Sequence, residues 1–209
     1  MNIWSFHLKF MGFDAQFEVL SKLLDAHIAA IQEGNTELEK ERRTGGEDSL
    51  EALSDEQSDF VENIYGCSMV ACQAYLTLIV SRVKSLHDAL RRKSMTLSTT
   101  SGRKKDIMGK FSSNPTGSAY TQIEIINALA NYYKHADEWN LDWAKEQGQS
   151  AETISIIQTL GLESGSSANL ATGVKALCGG LKPLPPIIRD WQSKLTKAYE
   201  LELQRIKLI

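Results

Sequence analysis

Between Ile126 and Trp139 the chain reads INALANYYKHADEW, which crowds asparagine, lysine, histidine and tyrosine into a few helical turns. On a 3.6-residue repeat, Asn127, Asn131, Lys134, His135 and Glu138 fall at i, i+4, i+7, i+8 and i+11 and form one polar stripe. Ile126, Leu129, Ala130 and Tyr133 lie on one side of it, and Ile125, Ala128, Tyr132, Ala136 and Trp139 on the other. A helix with apolar walls on both flanks is mostly buried, so its polar stripe must face a cleft or find hydrogen-bond partners. In a cleft, His135 has the chemistry of a general acid–base, because imidazole titrates near neutrality. In a sealed core, the same stripe is a hydrogen-bond network that fixes helix packing. The Tyr132–Tyr133 pair, Trp139 and Trp143 are expected to be core aromatics.

Little else in the chain has the spacing of a reactive site. Four histidines, His7, His27, His87 and His135, show no HExxH or Glu-x-x-His pattern, so no metal site and no cofactor are expected. Cys67, Cys72 and Cys178 are too few and too scattered for a disulfide framework, and are expected as small buried thiols in a reducing compartment.

The formal net charge of -3 provides no overall attraction to nucleic acid or membrane, but charge is segregated along the chain. Residues Glu37 to Glu62 hold ten acidic and three basic side chains, whereas Arg82 to Lys110 hold nine basic and two acidic. The basic run precedes the motif helix and would suit phosphate contacts, with Arg82, Arg91, Arg92 and Arg103 as candidates; it would equally suit pairing with the acidic run. The N-terminus lacks a basic n-region and a continuous apolar run, and Cys67 to Val80 is too short and polar to span a bilayer, so a cytoplasmic protein without membrane contact is expected.

The elements that must position the stripe are helices. Phe17, Leu20, Leu23, Leu24, His27, Ile28 and Ile31 give residues 14–43 a helical period, and the charged, Gly-punctuated stretch after Leu38 predicts an exposed loop. Ser54 with Gln57 predicts a capping box that opens a long helix from about Asp55 to Lys93, with a possible kink at Gly66. Residues 96–119 are Ser-, Thr- and Gly-rich and predict a mobile basic loop. The motif helix is expected over 120–145. A short helix capped by Ser150, another between glycine-rich turns, and a last helix over about 186–207 with Pro186 in its first turn complete the series. Only residues 2–10 alternate in the manner of a strand. The expectation is one all-α domain over residues 1–209, an irregular helical bundle.

On these residues the chain resembles the HEPN superfamily, helical proteins of prokaryotic toxin–antitoxin and phage-defence systems. Their pattern is an arginine, a polar residue, a few variable positions and a histidine, on a helix late in the bundle. Asn131 matches the polar position and His135 the histidine, while Ala130 stands where the arginine would be. Over residues 55–145 the resemblance implies a HEPN-like bundle that forms a homodimer, with His135 and Asn131 catalytic and Lys134, Asn127, Arg91, Arg92 and Arg103 available to RNA.

In that family, RNA cleavage needs no metal: the ribose 2′-hydroxyl attacks the adjacent phosphate, a histidine moves protons and an arginine neutralises the phosphorane. Loss of such a preorganised donor costs about 3–4 kcal/mol of transition-state stabilisation. Two expectations follow. One is an RNA-binding and RNA-cleaving protein of a bacterial defence or toxin–antitoxin type system, with a cognate antitoxin or defence protein as partner. The other, which Ala130 favours, is a non-catalytic interaction or dimerisation protein of the same fold.

Overall fold

The computed structural model describes residues 13–44 and 47–206, and the strand-like alternation of residues 2–10 lies outside them. Among the described residues there are seven α-helices and no strand. They are α1 (Asp14–Thr44), α2 (Glu47–Arg91), α3 (Lys104–Gly109), α4 (Gln122–His135), α5 (Gly148–Gln158), α6 (Asn169–Cys178) and α7 (Leu184–Arg205). The chain is an all-α helical bundle, as its periodicity predicts.

α2 is the axis of the bundle. Its buried side chains Met69, Cys72, Leu76, Ile79, Val83, Leu86 and Leu90 recur every three or four residues. α1 lies along one side through Leu20 and Leu24, and α4 along another through the fully buried Ile123, Ile125, Ile126, Leu129 and Ala130. Each large aliphatic side chain so buried contributes about 1.5–3 kcal/mol. Trp191, Leu195, Tyr199 and Leu203 bring α7 onto the same contiguous core.

Several sequence expectations are revised or filled in by the structure. The first concerns the loop after Leu38: α1 runs through that segment to Thr44, supported on its surface by Lys40–Glu37 (3.3 Å) and Arg43–Glu39 (3.0 Å) pairs one turn apart. The second concerns Ser54. α2 begins at Glu47, which puts Ser54 and Gln57 inside the helix, where no N-terminus needs capping. Gln57 instead donates to Asn35 Oδ1 (3.2 Å) and ties the far ends of α1 and α2 together. The third concerns Gly66. Tyr133 of α4 lies so close that a Cβ there would sit 2.1 Å from its ring, so this glycine serves a close helix approach.

The fourth concerns residues 96–119, which are anchored at several points. The Glu202 carboxylate of α7 accepts hydrogen bonds from the backbone N–H and hydroxyl groups of both Ser98 and Thr99, and α3 buries Ile107 and Met108. Thr100 sits between His87 and Tyr199, within 3.3 Å and 2.6 Å. The pull of one buried carboxylate on two N–H and two O–H donors fixes a segment whose composition reads as loop.

The motif helix is shorter than its pattern suggests. Thr121 and Glu124 form a capping box at its start. It ends at His135, and the chain turns away through 3₁₀ segments Ala136–Glu138 and Trp143–Lys145. Ser150, expected as a cap, lies in the first turn of α5 and donates to Glu146 at 2.5 Å. Pro186 does lie in the first turn of α7. One helix among the described residues, over Leu50–Arg91, is long and apolar enough to cross a membrane by length and composition, and half of its apolar window is buried in the bundle.

Candidate nucleic-acid interface at the motif helix

The polar stripe of α4 divides into an engaged half and an open half. Gln73 on α2, 8% exposed, donates from Nε2 to Asn131 Oδ1 (2.7 Å) and to the side-chain and backbone oxygens of Asn127 (3.0 and 3.2 Å). Its Oε1 accepts from Lys134 Nζ at 2.8 Å. One glutamine thus gathers three of the predicted site residues, Asn127, Asn131 and Lys134. The Gln73 signal was present in the sequence as a polar interruption of the apolar run Cys67 to Val80, but nothing local says that it pairs with α4.

His135 stands apart from this network. Its side chain keeps 47% of its surface in solvent, and Nδ1 lies 3.3 Å from Glu138 Oε1. The backbone leaves helical geometry at this residue (φ −132°, ψ 0°), so Glu138 meets His135 across a turn and not along a helical stripe. Tyr132 packs against Trp139 and Trp143 with ring centroids 5.8 and 6.1 Å away, and these aromatics, expected in the core, are partly buried at its edge. Tyr133 caps Gly66 and donates to Asn63 Oδ1 at 3.2 Å.

Two adjoining cavities open along α4 and share Asn131, Gln149 and Thr153 as walls. The first, about 200 Å³, lies between α3, α4 and α5 and is lined by Lys104, Lys105, Tyr120, Glu124 and Asn127. The second, about 350 Å³, is lined by His135, Glu138, Trp139, Glu146 and Ser150. The carboxylates on both are occupied. Glu124 closes the capping box, Glu152 holds Lys105 at 2.6 Å, and Glu146 accepts from Asn140 and Ser150. The backbone N–H of Asn140, followed by the Ser150 hydroxyl, holds the Glu146 carboxyl below its ordinary pKa.

Of the two lysines that line the first cavity, Lys105 pairs with Glu152 and Lys104 has no such carboxylate. The Lys104 side chain is largely exposed, yet enough protein crowds it that desolvation lowers its pKa, and the like charges of Lys134 and Lys84 lower it further. No ion pair to Lys104 occurs among the described residues. Lys104 on the cavity wall is thus within electrostatic reach of Lys134, whose Nζ is held by Gln73 beside Asn131, and of Lys84 on α2. Lys104 belongs to the basic run noted in the sequence, but its placement opposite α4 is a tertiary fact.

Three of the arginines expected as phosphate contacts are not brought to this place. Arg91 and Arg92 end α2, and Arg91 is about 27 Å along the helix from Gln73 at 1.5 Å per residue. It pairs with Asp88 at 3.5 Å. α4 runs antiparallel to α2, Tyr133 meeting Asn63 and Asn127 meeting Gln73, so His135 lies toward the opposite end from these arginines. Arg103 precedes α3 and is exposed, while its neighbours Lys104 and Lys105 line the cavity. No lysine or arginine lines the His135 cavity, and two carboxylates do.

Ala130, at the position where the family resemblance would have an arginine, is 0% exposed. It points into the core, so an arginine there could not reach the cavity that holds His135. A phosphorane formed beside His135 in one protomer would meet Glu138 and Glu146 in place of a cation. No family model, curated protein or solved structure matches this chain.

Proposed function

We propose that this chain is a HEPN-like RNA-binding protein of a bacterial defence or toxin–antitoxin type system, and that it acts in the cytoplasm with a cognate antitoxin or defence protein. Lys104 on the cavity wall that Asn127 and Asn131 also line, with Lys134 held next to Asn131 through Gln73, carries this reading. Single-stranded RNA suits such a place: phosphates meet lysines whose carboxylate neighbours are otherwise engaged, and the asparagine Nδ2 groups offer donors to base edges. Tyr120, on the same wall, provides an aromatic surface for a base.

Cleavage is the weaker half of the reading. His135 can move a proton, but phosphorane stabilisation would require a cation from outside the protomer. The second reading, a non-catalytic interaction protein of the same fold, draws on a different observation: Ala130 is sealed in the core and Gln73 uses the asparagine stripe for packing.

Fluorescence anisotropy with a labelled single-stranded RNA, with and without EDTA, separates these readings. RNA binding predicts saturable, salt-sensitive anisotropy that Lys104→Ala with Lys134→Ala weakens by up to about thirtyfold, two lost phosphate contacts at about 1 kcal/mol or less each. Degradation in EDTA that His135→Ala abolishes would restore the catalytic reading. Absence of binding at low salt would leave the interaction protein.

A further inference from the structure

We infer that the arm formed by the far ends of α1 and α2 is a docking groove for a cationic amphipathic helix of a second, different protein. The inference concerns another surface than the Lys104 cavity and rests neither on RNA binding nor on the family resemblance.

α1 and α2 continue past the bundle as a two-helix arm. Leu24 and Met69 are fully buried, but from Asp25 to Tyr65 no described residue is. The other helices stop short of the arm. Tyr133 of α4 meets Asn63 and Gly66, and α6 starts at Glu62, whose carboxylate accepts from the N–H groups of Leu170 and Ala171 at 2.8 Å each. From Glu62 back to Leu50, α2 runs on for about 18 Å. Gln57 holds it to α1, lying over Gly34 and donating to Asn35 Oδ1 (3.2 Å). Two helices enclose their seam on two sides only, so closing it takes a third element.

The open side of the seam is a groove of about 440 Å³. Gly34 faces Gln57 in an antiparallel pair, which sets Leu38 level with Leu53 and Ala30 close to Phe60. Leu53 and Phe60 are 37% and 39% exposed and leave an apolar floor in water. Glu33, Glu37 and Glu41 rim the groove from α1 and Glu56 from α2, and no lysine or arginine lines it. Lys40 reaches Glu37 at 3.3 Å, while Glu33 and Glu56 have no ion pair among the described residues.

An apolar floor between carboxylates selects a helix with leucine-like side chains on one face and lysine or arginine on both flanks. The basic run of this chain cannot supply that helix to a second copy. Its helices bury their apolar stripes, Val83, Leu86 and Leu90 on α2 and Ile107 and Met108 on α3. No ion pair joins the arm to that run among the described residues. The occupant is therefore foreign, and about three helical turns of it span the groove, some 16 Å from Ala30 to Glu41.

Calorimetric titration of the full chain tests this with a synthetic helix of about eighteen residues, leucine at steps of three and four and lysine elsewhere. Saturable binding is expected. It should weaken about tenfold or more when the same residues are scrambled to break the stripe, or when glutamate replaces lysine. Leu53→Asp with Phe60→Asp should weaken it by a similar factor, and Leu201→Asp, at an exposed leucine of α7, should not. Glu33→Lys with Glu56→Lys should weaken the lysine helix and strengthen the glutamate helix, which decides the matter even if the aspartate variant fails to fold. Lys104→Ala with Lys134→Ala should leave the titration unchanged, so loss of RNA binding is read separately.

Absence of saturable binding would overturn the inference, whether the groove stays empty or another part of this chain fills it. So would binding indifferent to scrambling or to the groove variants, the mark of mere attraction between cations and an acidic protein. A two-chain mass in sedimentation equilibrium without peptide, lost in Leu53→Asp, would name a second copy as the occupant and overturn it too.

Discussion

Gln73 Nε2 lies 2.7 Å from Asn131 Oδ1, and this contact between α2 and α4 converts half of an apparent active-site stripe into a structural joint. The same side chain reaches Asn127 and Lys134, so the joint is a four-residue network at the edge of a groove.

Gln73→Leu should therefore destabilise the protein by about 1–3 kcal/mol, since the two asparagine oxygens and the lysine lose a buried partner together. Urea denaturation measures this, and Asn131→Ala in the Gln73→Leu background should add little. Full additivity of the two would show that they are not coupled.

His135→Ala should change stability by less than about 0.5 kcal/mol, because the ring is half in solvent and its one carboxylate contact is exposed. Thermal unfolding checks it. A fall in melting temperature like that of Gln73→Leu would mean that the imidazole belongs to the network after all.

Restoring the arginine of the family pattern should damage the fold. Ala130 is wholly buried among Ile126, Leu129 and their neighbours, so Ala130→Arg would bury an unpaired guanidinium. A loss of about 3–5 kcal/mol is expected, the scale of an uncompensated buried charge. A stable Ala130→Arg protein that cleaves RNA would contradict this placement.

If RNA binds along the groove, the slope of log K against log salt should shrink by about 0.7 for each phosphate contact removed. Lys104→Ala and Lys134→Ala, measured by anisotropy across a salt series, should each do so. Arg91→Ala and Arg92→Ala should leave the slope unchanged at protein concentrations where the chain is a single species. An unchanged slope in Lys104→Ala would remove the groove from the RNA path.

The Glu202 clamp makes a pH prediction. Burial by itself would raise this carboxyl, but hydrogen bonds from the hydroxyls and backbone of Ser98 and Thr99 outweigh it and hold the pKa at about 2, below the ordinary 4.5. A pKa lower in the folded state means that the unfolded chain takes up the proton first. The stability it contributes is thus full above about pH 4.5 and is lost as pH falls toward 2. Glu202→Gln should lower stability by about 1–3 kcal/mol at pH 7 and flatten the acid limb of the stability profile. An acid limb identical to the native one would place the titrating group elsewhere.

The sequence by itself determined the helical class, the central helix and its buried stripe, the apolar walls of α4 and the segregation of charge. All of these follow from periodicity and composition within one segment, as with Met69, Cys72 and Leu76 or Ile125, Ile126 and Leu129. The Thr121–Glu124 capping box was written in the chain as T-Q-I-E and would have marked the start of α4.

What only the tertiary structure decided were matters of partnership between distant segments. Ser54 and Gln57 carry the local pattern of a helix start, yet packing of α1 against α2 extends the helix past them. Residues 96–119 read as loop because the carboxylate that holds them is a hundred positions away on α7. The polar stripe could face a cleft or a partner, and Gln73, through side-chain contacts that no local pattern encodes, engages one half of it and leaves His135 to solvent.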